Sequence, residues 1–115
     1  MPPYVPLTLS EERRGDTTVL RCAGEIDIAT VSVLRDRLSH IQVEGPAHLV
    51  LDLDEVTFMD SLGLGALIGA HKRARVLRGS LVIVCNSRPI LRLFTATALD
   101  RVFTIVGSLD EAVAG

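Results

Sequence analysis

The chain has 115 residues, of which 48% are hydrophobic, 23% charged and only 3% aromatic, with a formal net charge of -2. That is length for a single domain, and apolar content for a real core that Leu, Val, Ile and Ala must build. The small negative charge gives no electrostatic reason to expect a nucleic acid or an anionic membrane as partner.

Met1-Pro2-Pro3-Tyr4-Val5-Pro6 lacks a charged start and an apolar run, so no signal peptide is expected. No uncharged apolar stretch approaches the roughly 18–20 residues of a membrane span, and the expected location is cytoplasmic. Two alternating stretches follow, at residues 5–10 and 17–23, and Glu11-Glu12-Arg13-Arg14-Gly15-Asp16 between them reads as the turn of a hairpin. Gly24-Glu25-Ile26-Asp27 closes the second strand. Val31, Leu34, Leu38 and Ile41 then recur at helical spacing, with Thr30 or Asp27 as the cap.

Gly45-Pro46 breaks the chain before His48-Leu49-Val50-Leu51-Asp52-Leu53, a strand apolar enough to be covered on both faces. A loop through Asp54 and Glu55 is expected next, then Val56-Thr57-Phe58-Met59. A second helix starts at Asp60-Ser61 and runs to about Leu77. Its small residues, among them Gly63, Gly65 and Gly69, let it lie close on the sheet, and Gly79 is placed as its left-handed stop. Leu81 to Cys85 is a buried strand. Ser87 and Pro89 open a third helix from Ile90 to about Ala98. Val102 to Val106 is the last strand, and Ser108-Leu109-Asp110-Glu111 has the spacing of a capping box that starts a short helix. The order is β-β-α-β-α-β-α-β-α. It predicts one α/β domain with a mixed, mainly parallel sheet whose edge is an antiparallel N-terminal hairpin.

Cys22 and Cys85 sit in apolar stretches with no CxxC pair and no cluster at ligand spacing, so both read as reduced, buried thiols. Asp52 and Asp54 share one side of a strand but lack a third ligand, which favours solvated carboxylates over a metal site. No cofactor is expected. Gly63-Leu64-Gly65 is too short for a dinucleotide fingerprint, and no phosphate loop is present.

Ser61 lies at a strand-to-helix turn, where α/β sheets often place chemistry. A nucleophile elbow needs Gly two residues before the Ser, and here that position is Met59. A base is also missing. His71 lies ten residues along the same helix, about 15 Å away at 1.5 Å per residue, and neither His40 nor His48 is better placed. A serine hydrolase is therefore disfavoured. By spacing alone Ser61 reads first as the helix cap, a position that also suits an anion.

Phe58-Met59-Asp60-Ser61-Leu62-Gly63-Leu64-Gly65, preceded by Leu49-Val50-Leu51-Asp52-Leu53, resembles the signature of STAS domains. Within that family it is similar to the bacterial anti-sigma factor antagonists, or anti-anti-sigma factors. Gly24-Glu25-Ile26-Asp27 resembles the family's turn before its first helix, and Ser87-Arg88-Pro89-Ile90-Leu91-Arg92-Leu93-Phe94 the segment opening its third. The likeness runs from about residue 5 to residue 113. It implies a transcription regulator rather than an enzyme. Unphosphorylated, such a protein binds an anti-sigma factor that is a serine kinase of the histidine-kinase-like ATPase type, and so frees a sigma factor. Phosphorylation of the Ser that follows the Asp, here Ser61, ends that binding, and a metal-dependent serine phosphatase reverses it. The resemblance also implies that Asp27, Asp60, Ser61, Leu62 and Gly63 form the partner surface. Many members carry a second Ser or a Thr where this chain has Leu62, so the acceptor here is unambiguous. Two alternatives stay open from sequence: a STAS adaptor subunit of a transport or stress-signalling complex, and the small hydrolase.

Overall fold

The computed structural model describes residues 6–114. The expected start of the first strand at residue 5, and Met1 to Val5 of the stretch read for a signal peptide, lie outside the described residues. In chain order the elements are β1 (Thr8–Arg14), β2 (Thr17–Ile26), α1 (Val31–Glu44), β3 (His48–Met59), α2 (Ser61–Val76), β4 (Ser80–Val84), α3 (Arg88–Ala96), a 3-10 turn (Leu99–Arg101), β5 (Thr104–Val106) and α4 (Leu109–Ala114). The strands form one sheet in the order β1-β2-β3-β4-β5. β1 runs antiparallel to β2, and every other pair is parallel. Among the described residues no helix is long and apolar enough to cross a membrane.

The first departure from expectation is at the hairpin. Glu11 to Arg14 continue β1, and the turn is only Gly15 and Asp16. Gly15 has φ 63°, which puts a glycine at the first position of a two-residue turn. The charges on β1 protect an edge strand from pairing with another chain, and Glu11 also anchors α1 through Arg37 at 3.0 Å.

β3 is likewise longer than expected, because Asp54 and Glu55 do not interrupt it. The Asp54 carboxylate accepts the Asn86 backbone N–H at 2.7 Å and its Nδ2 at 3.1 Å, and Asn86 Nδ2 also donates to the Gly107 carbonyl at 2.8 Å. Asp52 Oδ1 accepts the Asp54 N–H at 3.0 Å. Asp54 therefore braces the β4–α3 and β5–α4 connections from an exposed position, whereas Asp52 holds the Asp54 backbone and lies 3.8 Å from Arg21. Two register shifts against β2 let the strand continue to Met59.

At the end of α2 the left-handed residue is Arg78, with φ 57°, not Gly79. Gly79 N–H bonds the Ala74 carbonyl at 2.8 Å and Arg78 N–H that of Arg75 at 3.1 Å, the two bonds of a Schellman stop. Gly79 is needed for closeness instead: a Cβ there would lie 1.8 Å from the Ala47 carbonyl oxygen. The third helix ends at Ala96, with Ala98 left-handed at φ 60°, and β5 begins only at Thr104. Ser108 caps α4 as half of the expected box, its Oγ accepting the Glu111 N–H at 3.1 Å and donating to the Glu111 carboxylate at 3.3 Å.

The main core lies between the sheet and α1, α2 and α3, around Leu20, Leu34, Leu38, Leu51, Leu67, Ile83 and Phe94. α4 covers Val19, Val50 and Val84 on the other face. Gln42 is buried between α1 and α2, where Nε2 donates to the Ala70 carbonyl at 2.8 Å and Oε1 accepts from Arg73 Nε at 2.9 Å.

Both cysteines are free and buried. Burial, helped by the Asp52 charge, pushes the Cys22 thiol from 9.0 up to about 12, and burial also raises Cys85. A thiol whose folded pKa is raised keeps its proton longer in the native state. Its contribution is whole below pH 9 and is lost as pH climbs towards 12. At roughly 1.4 kcal/mol per pH unit this is about 4 kcal/mol as an upper figure. Urea midpoints measured between pH 8 and 11 should fall in the wild type and fall less in Cys22→Ala. Equal slopes would remove Cys22 from the account.

Candidate functional site

Two turns at the C-terminal ends of neighbouring parallel strands make the site. The β2–α1 turn is built around Asp27. Its carbonyl accepts the N–H groups of Thr30 at 3.1 Å and Val31 at 2.8 Å, and its Oδ1 accepts that of Ala29 at 2.9 Å. Thr30 holds the N-cap position but makes no side-chain cap bond. Its hydroxyl turns back to donate to the Glu25 carbonyl at 2.8 Å and to accept the Asp27 N–H at 3.0 Å. Of the two caps considered for α1, Asp27 therefore does more, largely through its backbone.

The β3–α2 turn is built around Asp60. This residue is extended, at φ -105° and ψ -171°, and its Oδ1 accepts the Leu62 N–H at 3.0 Å and the Gly63 N–H at 3.2 Å. Asp60 is thus the N-cap, which corrects the expectation that Ser61 caps α2. The helix begins at Ser61, and only the residue before it can aim an oxygen at the free N–H groups of the next turn. Such a cap contributes about 1 kcal/mol, and its charge complements the helix dipole. Ser61 is exposed, and among the described residues its hydroxyl makes no hydrogen bond. The Asp60 N–H donates to the Ile26 carbonyl at 3.2 Å, which ties the two acidic turns together.

Leu62 is half-buried and Gly63 buried. A Cβ on Gly63 would lie 2.5 Å from Met59 Cγ and 2.8 Å from Ile26 Cγ2, so this glycine lets α2 settle against both strand ends. Gly65 and Gly69 do not share that role. Nothing lies within 4 Å of a Cβ on Gly69, and on Gly65 only Arg35 Nη2 does, at 3.9 Å.

Two residues of the site escaped the sequence reading. Ile28 is 81% exposed on the Asp27 turn, and Phe58 is 48% exposed two residues before Asp60. A signal for Phe58 existed: Phe58 and Met59 are consecutive on a strand and cannot both face the core. Ile28 had a weaker one, as a branched apolar residue where a turn prefers polar ones.

No histidine reaches Ser61. His71 packs edge-on against Phe103 at 5.6 Å, and His48 Nδ1 bonds Ser80 Oγ at 2.8 Å where β3 and β4 begin, at the other end of the strands. His40 is exposed near the end of α1. No group of three or more His, Cys, Asp or Glu among the described residues is placed to hold a metal. Among the described residues the site is thus two linked acidic turns beside an exposed hydroxyl, with no histidine base next to it.

The match to the STAS domain spans residues 9–112, and the chain belongs to that family. It is 38% identical over 95 residues to the anti-sigma-B factor antagonist of Listeria monocytogenes, covering 83% of each chain. It is 39% identical over 91 residues to the protein of the same name from Bacillus subtilis, covering 79% of this chain and 83% of that one. Among solved structures, an anti-sigma factor antagonist from Mycobacterium paratuberculosis superposes with a TM-score of 0.87 at 28% identity, covering 94% of this chain and 92% of the other.

Proposed function

We propose that this chain is an anti-sigma factor antagonist, acting in the cytoplasm as a single STAS domain. In its unphosphorylated form it binds an anti-sigma factor of the histidine-kinase-like ATPase type and so releases a sigma factor. The bound kinase phosphorylates Ser61, the complex separates, and a metal-dependent serine phosphatase restores the binding form. One observation carries this reading: Asp60 takes over the capping of α2, leaving the Ser61 hydroxyl exposed at a helix N-terminus and, among the described residues, without a hydrogen-bond partner. The relatives' names point to the same class.

Asp27, Asp60, Ser61 and Leu62 would meet the partner, with Gly63 setting the position of the turn. Ile28 and Phe58 would supply apolar contact beside them, the kind of exposed large side chain that anchors interfaces. The test mixes the protein with the ATPase-type anti-sigma factor of its own host. A complex should form without ATP, and with ATP mass spectrometry should find phosphate on Ser61 as the complex is lost. No complex in either condition, or phosphate only elsewhere, would sink the proposal.

A further inference from the structure

We propose that Arg35 is the in-chain receiver of the phosphate on Ser61, holding it between the guanidinium on α1 and the N-terminus of α2. This rests on the reading of Ser61 as the phosphorylated residue. Arg35 and Gly65 are each the fifth residue of their helices. The two helices follow β2 and β3 in a set of parallel strands, so they run in the same direction. Side chains on a helix lean towards its N-terminus. The long Arg35 side chain reaches across to α2, where its Nη2 lies 3.9 Å from the place a Cβ on Gly65 would occupy.

Ser61 lies one turn before Gly65, and positions so related are about 5–6 Å apart. Both are exposed, and Gly65 has no side chain to fill the space between Ser61 and the guanidinium. A phosphoryl group lengthens the serine side chain by two bonds, which narrows the gap to the guanidinium. Arg35 is also available. Among the described residues it makes no ion pair, whereas Arg37 is held by Glu11 at 3.0 Å and Arg21 lies near Glu12 and Asp52. A guanidinium presents a planar fork that fits two phosphate oxygens, which an ammonium cannot match. The nearby carboxylates, Asp60 at the cap and Asp27 on the linked turn, repel the dianion. Arg35 and the helix N-terminus oppose them.

The second ionisation of the phosphate reads this balance directly. Phosphoserine installed at residue 61 by stop-codon suppression can be titrated in the full chain by phosphorus NMR. With Arg35 present the second pKa should be lower than in Arg35→Gln by at least about half a unit. Arg35→Lys should fall between the two, and Arg37→Gln should titrate like the wild type. The same pKa in the wild type and Arg35→Gln overturns the assignment. Arg35 is exposed, so its substitution is expected to leave the fold intact, which circular dichroism of each variant checks. Translation supplies the phosphate, so the titration tests the role of Arg35 whether or not a kinase acts on Ser61. Failure of a kinase to label Ser61 would sink the proposed function alone.

Discussion

Phosphorylation of Ser61 is expected to weaken binding to the anti-sigma factor by about two to three decades, or roughly 3–4 kcal/mol. Ser61→Ala should bind like the wild type and stay bound when ATP is added. Ser61→Asp, with one added charge, should lose about one to two decades. The estimate starts from the cap. Asp60 already places a carboxylate on the free N–H groups of α2, bonded to Leu62 and Gly63. A phosphate adds about -1.5 to -2 charges beside it. Its repulsion from Asp60 is present in the free and bound states alike. The loss of affinity therefore comes from placing the dianion where the partner docks, where burying it without a matched cation costs several kcal/mol. The helix N-terminus returns only about 0.3–1 kcal/mol of that. In an interface emptied of water, with Ile28 and Phe58 against the partner, the dianion would be stripped of its hydration. The fold itself should tolerate the group, because Ser61 is exposed and among the described residues its hydroxyl makes no bond that must break. Thermal unfolding of the phosphorylated and free forms should therefore differ by far less than their affinities. Titration calorimetry with all three forms decides it, and equal affinities for Ser61→Ala and Ser61→Asp would refute the switch.

Gly79→Ala should be the most damaging small substitution outside the main core. The added Cβ would stand 1.8 Å from the Ala47 carbonyl oxygen and 2.5 Å from its carbon. These are backbone atoms, so no side chain can swing aside. That carbonyl also accepts the Ser80 N–H at 3.0 Å, where β4 begins its pairing with β3. Relief requires moving the strand entry, and the expected loss is about 3 kcal/mol, the upper part of the overpacking range. The melting temperature should fall by roughly 10 °C or more. Gly69→Ala is the internal comparison. It has nothing within 4 Å of its Cβ and should gain up to about 1 kcal/mol of helix propensity. If the two substitutions shift the melting temperature alike, the close approach at Gly79 is not what sets stability there.

Much of this was legible in the chain. Apolar runs such as Leu81 to Cys85 alternating with the helical spacing of Val31, Leu34, Leu38 and Ile41 were enough for the element order, and Asp60-Ser61 marked the turn that matters. What stayed hidden depended on partners far along the chain or on one-residue detail. β3 continues past Asp54 because β2 stays paired with it across two register shifts, and no local pattern reports that. The cap of α2 moved from Ser61 to Asp60 because propensity accepts either and only the helix start decides. Gly79 was read as a left-handed residue when its role is to let Ala47 come close, since both uses favour glycine. Gln42, buried between two helices, looked like any polar residue on a helical face.

The order of the strands in the sheet is their order in the sequence. A nascent polypeptide can therefore lay each strand beside one already delivered, with no slot to be kept open for a later arrival. Once Val76 has left the ribosome, both acidic turns, Ser61 and Arg35 are present on elements that touch one another. The segment from Gly79 onward adds the last two strands on the far side from the hairpin. The candidate surface thus lies on elements made before Gly79, and the strands made after it extend the sheet on one side only.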